Sequence, residues 1–241
     1  MKRAIKALAP GHSKGPAVTH IKAILFDLDE TLLDRTQSLR DFALWQAQNM
    51  LKDTVADAPR FVDRFVALDA HGMVWKDRVY AALIDEFKIE HWTAAELLQS
   101  YELCFCAFAK PKEGCVDAIK TLHTSGYKLG LVSNGRWPFQ ERNFRALGLA
   151  VYFDTVVVSG AVGCKKPQLE IFTLACEDLK THPQEVVFVG DSPTSDMEGA
   201  RAAGMHAIYI PGHHGPTCPQ AHATCTHFSR LPALISSLND A

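Results

Sequence analysis

The chain has 241 residues, of which 47% are hydrophobic and 22% are charged, and its formal net charge is −2 at pH 7. This length allows one large domain or a core with a modest insertion, and the composition excludes a disordered chain. The balance of acidic and basic residues excludes the strong basic excess that is typical of nucleic-acid binders. Charge alone names no partner.

The longest apolar runs, such as 156–158 and 186–189, are far shorter than the ~20 residues of a membrane-spanning helix, so no membrane association is expected. Residues 1–20 are basic but lack the continuous apolar segment of a secretory signal. We therefore expect an N-terminal extension there and a cytoplasmic location. Seven cysteines, an odd number scattered through predicted helices and strands, predict free thiols.

Short apolar runs predict five buried strands, at 21–26, 128–132, 155–158, 186–189 and 206–210. Helical patterns separate most of them, at 115–125, 138–147, 169–179 and 195–203. Alternating strands and helices predict an α/β fold, a doubly wound parallel sheet of the Rossmann-like type.

The long stretch 35–110 between the first two strands has helical patterns and no strand-like run. Its four patterns lie at 39–51, 61–68, 79–87 and 94–108. Because this stretch is too long for a simple crossover, it predicts an inserted helical cap domain. The catalytic core would then comprise 21–34 and 111–241, with hinges near Asp34 and Pro111.

Polar residues follow directly after three of the predicted strands, namely Asp27, Ser133, Asn134 and Asp191. Ligands of such sheets bind outside the carboxyl ends of the strands. The shared position of these residues predicts a functional site at that edge.

Asp27 and Asp29 lie two residues apart at a strand end, where like charges repel unless a cation compensates them. The later turn adds Asp191 and Asp196, which gives an oxygen-rich site of the kind that holds Mg²⁺ with a substrate phosphate. Helix capping by Asp191 or Ser192 is the alternative for that turn. The two acidic turns together favour the metal.

Ser133, Asn134 and Gly135 offer a hydroxyl and exposed backbone N–H groups to phosphate oxygens. Lys166 offers a positive point charge to the phosphate and to the carboxylates. Taken singly, a plain turn and a solvated lysine would explain these residues. Their occurrence together is what supports a phosphate-binding site.

Four motifs, in this order, resemble those of the haloacid dehalogenase-like superfamily: Asp27-Leu28-Asp29-Glu30-Thr31, Ser133-Asn134, Lys166-Pro167, and Gly190-Asp191 through Asp196. The resemblance spans the chain from about Ile21, and the helical insertion resembles the superfamily's first cap type. Glu30 stands where many relatives have Gly, and Gln168-Leu169 replaces a frequent Asp-Pro. These departures bear on subgroup and specificity rather than on mechanism.

The resemblance implies a magnesium-dependent phosphatase that hydrolyses a small phosphomonoester, such as a nucleotide, a sugar phosphate or a short organic acid phosphate. Asp27 would attack phosphorus to form an aspartyl-phosphate, while Asp29 would protonate the leaving oxygen and later activate water. The superfamily's dehalogenases lack this second acid, because a halide needs no proton. Asp29 therefore indicates phosphate chemistry.

The resemblance also implies binding roles. The catalytic set is Asp27, Asp29 and Lys166. Mg²⁺ would be held by the Asp27 carboxylate, the Asp29 main-chain carbonyl and Asp191, with Asp196 supporting the site through water or Lys166. The phosphate would contact Thr31, Ser133, Asn134 and Lys166.

Two alternatives use the same fold. A phosphotransferase, such as a phosphomutase, would pass the aspartyl-phosphate to another hydroxyl instead of water. A catalytically idle binding protein is the other, and the intact set of reacting groups argues against it. The sequence leaves the oligomeric state open.

Three further features have a functional and a plainer interpretation. His213, His214, His222 and His227, with Cys218 and Cys225, could form a zinc site, but their spacing favours a polar loop before a final helix at 231–238. Arg136 and Trp137 could reach a leaving group, although packing against the hinge is favoured. His71, Trp75 and Lys76 could enter the site from the cap, although a solvated loop is favoured.

Overall fold

The computed structural model describes residues 20–239, so the predicted N-terminal extension lies, apart from residue 20, outside the described part. Its sheet has six strands: β1 (Ala23–Phe26), β2 (Lys128–Ser133), β3 (Thr155–Val158), β4 (Val186–Gly190), β5 (His206–Tyr209) and β6 (Ala223–Thr224). The spatial order is β3-β2-β1-β4-β5-β6, and all neighbours run parallel. The predicted doubly wound α/β fold is confirmed.

Strand β6 corrects the prediction of five strands. It lies in the segment that was expected to be a polar loop, beside β5, where the Cys225 N–H donates to Tyr209 O at 2.8 Å. The His222 N–H donates to Ala207 O at 2.9 Å. A strand of two residues is too short to show a hydrophobic period in the sequence, which explains the error.

Helices cover both faces of this sheet. Five lie between β1 and β2: α1 (Arg35–Asn49), α2 (Ala58–Asp69), α3 (Lys76–Phe87), α4 (Ala94–Cys104) and α5 (Cys115–Thr124). Five follow β2: α6 (Phe139–Ala146), α7 (Ser159–Val162), α8 (Leu169–Leu179), α9 (Gly199–Ala202) and α10 (Leu231–Ser237). A π-helical turn, Pro193–Glu198, opens the helix that was predicted at 195–203. Within residues 20–239, every helix is too short or too polar to cross a membrane.

The two faces of β1 bury different clusters of side chains. Ile24 and Phe26 join the larger apolar cluster, which continues into the α1–α4 segment through residues such as Phe42. Ala23 and Leu25 join the smaller cluster on the opposite face. A strand buried on both sides must be apolar throughout, and this is why β1 reads as a continuous run.

The chain enters and leaves the α1–α4 segment at one place. Leu33 and Pro111 form an antiparallel bridge, and the Asp34 N–H donates to Lys110 O at 2.8 Å. The two connections therefore lie side by side where hinges are predicted. The division into a core and a cap domain stays a prediction.

Gly130 lies where β2 crosses the core, and its lack of a side chain is required there. A Cβ at this position would lie 2.6 Å from Leu25 Cδ2 and 2.8 Å from Thr155 Cγ2. We expect Gly130→Ala to lower the free energy of unfolding by ~1–3 kcal/mol, as overpacked cores do. Urea unfolding followed by circular dichroism measures this loss.

Gly212→Ala is the matched control, because its Cβ would meet only Asp191 Oδ2, at 3.9 Å. Its free energy of unfolding should stay near that of the wild type. Equal stability of the Gly130→Ala variant and the wild type would contradict the packing described for β2.

Candidate active site

Sheet register brings the predicted motifs to one edge. Phe26 pairs with Leu131 of β2 on one side and with Val189 of β4 on the other. The residues that follow these three strands must therefore emerge together. The strand order also reverses direction at β1, and the carboxyl side of such a switch point is where doubly wound folds bind ligands.

The acids that follow β1 and β4 form a compact buried cluster. Carboxylate oxygens of Asp27, Asp191 and Asp196 all lie within 4.8 Å of one another. The Lys166 ammonium lies 2.5 Å from Asp27 Oδ1 and 2.7 Å from Asp196 Oδ1. All four residues are buried. Three carboxylates with a single lysine between them lack positive charge, and their oxygens are the ligands that Mg²⁺ prefers.

The pKa values of these groups agree with the shortage of positive charge in the cluster. Burial, together with the neighbouring carboxylates, raises the pKa of Asp27 to about 7 and the pKa of Asp191 to about 9. Burial alone would lower the pKa of Lys166, but the carboxylates of Asp196 and Asp27 raise it above its usual value. A divalent cation between the acids would relieve this repulsion. The residues therefore fit a bound Mg²⁺ ion.

The turn after β4 places its two acids in different ways. Ser192 Oγ accepts from the Ser195 N–H at 3.1 Å and caps the π-helical turn, which leaves the Asp191 carboxylate facing the cavity. Asp196 Oδ2 accepts from the Ser192 N–H at 2.9 Å. A Cβ at Gly190 would collide with the Asp196 carboxylate. The capping alternative thus holds for Ser192 and not for Asp191.

Asp29 contacts a residue that the sequence did not indicate. Gln140 Nε2 donates to Asp29 Oδ2 at 2.8 Å and also lies 3.1 Å from Ser133 Oγ and 3.2 Å from Asn134 O. Burial raises the pKa of Asp29. The hydrogen bond from Gln140 acts in the opposite direction and lowers this pKa. Gln140 therefore orients the Asp29 carboxyl. An amide in the first turn of α6 belongs to none of the recognised motifs, so no sequence signal pointed to it.

Three predicted phosphate-binding residues have different surroundings. Thr31 Oγ1 is buried and has no hydrogen-bond partner within residues 20–239, so it is free to meet an oxygen of a ligand. Ser133 Oγ contacts Gln140, as described above. The Asn134 amide instead pairs with the main chain of Lys166, accepting from its N–H at 2.9 Å and donating to its O at 3.0 Å. Asn134 thereby positions Lys166.

Glu30 ties together both connections of the α1–α4 segment. Its φ is 59°, a left-handed conformation that suits glycine better. Its carboxylate accepts from the Thr36 N–H at 2.8 Å and from Thr36 Oγ1 at 2.7 Å, in the first turn of α1. Lys112 Nζ, on the returning connection, lies 2.7 Å away. These contacts offset the backbone strain at Glu30.

A cavity of about 1020 Å³ separates the acidic cluster from the α1–α4 segment. Among the residues that line it, the rings of His71 and His213 stack with their centroids 4.2 Å apart. Arg136 pairs with Glu102 at 2.7 Å and lies 4.7 Å from the Trp75 ring centroid. Both contacts bridge the α1–α4 segment and the rest of the chain.

The structure corrects two of the plainer interpretations. Lys76 is buried against Asp69, so a solvated loop is wrong for this residue. Trp137 is 57% exposed and its Nε1 donates to Glu141 at 2.9 Å, so packing against the hinge is wrong for its side chain.

The histidines that could suggest zinc do not gather around the cysteines. His213 and His214 approach Asp191, whereas His222 Nδ1 accepts from the Ala207 N–H at 2.9 Å within the sheet. All seven cysteines are free thiols.

Comparisons with known proteins agree with this geometry. The family model for haloacid dehalogenase-like hydrolases matches residues 21–204. A glyceraldehyde 3-phosphate phosphatase of Methanothermobacter thermautotrophicus is 30% identical over 79% of this chain and 85% of its own length. A phosphoglycolate phosphatase of Nitrosospira multiformis is 29% identical over 79% of this chain and 83% of its own. The crystal structure of a HAD phosphatase from Thermococcus onnurineus has a TM-score of 0.64 and 25% identity, covering 89% of this chain and 98% of that one.

The contacts of Glu30 generate a stability prediction. Glu30→Ala removes its bonds to Thr36 and Lys112 and should lower the free energy of unfolding by ~1–3 kcal/mol, measured by urea unfolding. Glu30→Gly should lose less, because glycine adopts the left-handed φ without strain. Glu113→Ala, at an exposed glutamate next to Lys112, is the control and should leave stability unchanged. A Glu30→Gly variant weaker than Glu30→Ala would contradict the strain at this residue.

Proposed function

The chain belongs to the haloacid dehalogenase-like hydrolase family, and we propose that it is a magnesium-dependent phosphatase acting on a small phosphomonoester through an aspartyl-phosphate at Asp27. The observation that carries this proposal is the buried cluster of Asp27, Asp191 and Asp196 with Lys166 at the switch point of the sheet. The names of the two relatives, both phosphatases of small metabolites, support it. Their leaving groups differ, so they leave the substrate open. A cytoplasmic location stays a prediction.

In this proposal, Asp27 and Asp29 divide the chemistry. An oxygen of Asp27 forms a bond to phosphorus as the bond from phosphorus to the leaving oxygen breaks. Asp29 gives its proton to the leaving oxygen and then takes a proton from the water that hydrolyses the aspartyl-phosphate. Gln140 holds the Asp29 carboxyl during both transfers.

The remaining groups stabilise charge. Lys166 lies close enough to Asp27 to attract phosphate oxygens into line for attack. The Asp27 and Asp191 carboxylates and the Asp29 carbonyl would hold Mg²⁺, while Asp196 supports the site through Lys166. A bound Mg²⁺ ion would neutralise charge on the phosphate and the carboxylates. Thr31 Oγ1, buried and without a partner in the described chain, would orient the nucleophile or the phosphate.

Metal binding has a readout that does not depend on turnover. Addition of MgCl₂ should raise the thermal unfolding temperature, because an ion that binds only the folded state stabilises it, by about 2.7 kcal/mol at a hundredfold excess over Kd. In Asp191→Asn this rise should disappear. The metal-free variant should be at least as stable as the wild type, since Asn cannot ionise beside the carboxylates of Asp27 and Asp196.

Asp85→Asn, at an exposed acid of α3, is the control and should respond to MgCl₂ like the wild type. Differential scanning calorimetry of all three proteins measures these shifts. A full magnesium response in Asp191→Asn would exclude this carboxylate as a ligand.

Replacing each of the two acids of the first motif should impair turnover in a different way. Asp27→Asn should abolish turnover, because the covalent intermediate cannot form. Asp29→Asn should slow an alkyl phosphate by ~10²–10⁴-fold through lost proton transfer, and an aryl phosphate with an acidic leaving group by less in the phosphorylation step. Trapped phosphoenzyme should persist longer in Asp29→Asn, as rapid-quench measurements would detect. Wild-type rates of Asp29→Asn on an alkyl phosphate would remove Asp29 from the mechanism.

A further inference from the structure

Three charged residues from three helix ends meet in the wall of the cavity that faces the acidic cluster. Arg35 is the first residue of α1, Asp69 the last of α2 and Lys76 the first of α3. The Arg35 guanidinium donates to both Asp69 oxygens, at 2.7 and 3.0 Å, and Lys76 Nζ contacts Asp69 Oδ1. Arg35 and Lys76 are each 8% exposed and Asp69 is 1% exposed.

The backbone between α2 and α3 is shaped around this group. The Gly72 N–H donates to Asp69 Oδ2 at 2.9 Å, and a Cβ at Gly72 would lie 3.2 Å from an Arg35 nitrogen. Gly72 has a φ of 86°, and His71 beside it has a φ of 57°. Strained backbone of this kind persists where surrounding contacts fix it. The group is therefore a built feature and not a set of solvated side chains.

Helix stability does not explain the placement of these charges. A cation at the start of a helix and an acid at its end both oppose the helix dipole. Here Arg35 and Lys76 occupy helix starts and Asp69 occupies a helix end. These positions are electrostatically unfavourable for α1, α2 and α3. The role of the three charges is therefore to be sought in the cavity that they face.

Two buried cations share one buried acid, so the group carries one positive charge in excess. Arg35 and Lys76 line the cavity, while Asp69 lies behind them with both oxygens occupied. Within residues 20–239, Asp69 is the one acid within salt-bridge distance of Arg35 and Lys76. Asp29 lines the same cavity, but its carboxyl is hydrogen-bonded to Gln140. Burial lowers the pKa of Lys76 despite the charge of Asp69, as expected for a cation that is incompletely compensated.

We propose that Arg35 and Lys76 form a binding site for a carboxylate on the leaving group, so that the preferred substrates are short phosphorylated carboxylic acids. This inference rests on the proposed phosphatase function and specifies its substrate class. A carboxylate carries the single negative charge that matches the excess, whereas a second phosphate dianion would exceed it. Arg35 and Lys76 line the same cavity as Asp29, whose carboxyl would donate to the ester oxygen, so the carboxylate would lie only a few bonds from that oxygen.

The test compares two substrates of similar size, 2-phosphoglycolate, which carries the carboxylate, and ethyl phosphate, which lacks it. The wild-type kcat/KM for 2-phosphoglycolate should exceed that for ethyl phosphate by about tenfold or more, as for a charged hydrogen bond. Lys76→Met removes the excess charge and keeps the apolar stem, so this ratio should fall by about tenfold or more. Lys76→Arg should retain most of it.

Lys165→Met is the matched control, because Lys165 also lines the cavity but is exposed at its mouth. It should leave the ratio unchanged. Lys76→Met should fold, since the Arg35–Asp69 ion pair remains, and circular dichroism checks this. If it does not fold, Arg35→Met serves instead, because Asp69 then keeps Lys76 as its partner.

The outcomes separate this inference from the proposed function. A wild type that hydrolyses both substrates at similar kcat/KM, or a folded Lys76→Met variant with the wild-type ratio, would overturn the carboxylate site and leave the phosphatase intact. A wild type that hydrolyses neither of these esters nor p-nitrophenyl phosphate in the presence of MgCl₂ would overturn the phosphatase proposal and this inference with it.

Discussion

Three buried carboxylates that share one ammonium group set the constraint on which the rest of the site depends. Moving an ion from water into a protein interior costs roughly several kcal/mol of free energy, unless nearby partners compensate its charge. Asp27, Asp191 and Lys166 follow different strands, so only the register of the parallel sheet brings them together. The same strands are apolar on both faces, and their packing holds the acids near one another despite their repulsion. A divalent cation would complete this arrangement.

The α1–α4 segment supplies the second wall of the cavity that the charged groups face. Electrostatic interactions strengthen as the effective dielectric constant falls, so any water that this wall excludes would strengthen the interactions of Lys166 and the acids. Glu30 is central here, because it follows Asp29 directly and contacts both connections of the segment. The first motif, Asp27 to Thr31, and the entry to the α1–α4 segment are thereby parts of one short, strained turn.

The sequence predicted the sheet and the acidic cluster because both depend on short-range patterns. Apolar runs identified β1 to β5, and the acids after β1 and β4 predicted that Asp27 and Asp191 lie together, as the structure places them. What the sequence did not reveal depends on long-range contacts: Gln140 lies 111 residues from Asp29, and Asp69 lies 34 residues from Arg35. Neither separation matches the period of a helix or a strand, so no local sequence pattern pointed to these contacts. Strand β6 was missed for a different reason, since two residues show no period.

The two walls of the cavity carry opposite excess charge, and this asymmetry suggests how selectivity arises. The core cluster has an excess of negative charge, which a divalent cation would neutralise. The group formed by Arg35, Asp69 and Lys76 has an excess of positive charge. In the proposed binding mode, a substrate without a carboxylate would leave that positive charge buried and unpaired. Leaving a buried charge unpaired costs more free energy than pairing it gains. Discrimination would therefore come mainly from the penalty on uncharged leaving groups, and the attraction of the correct one would contribute less.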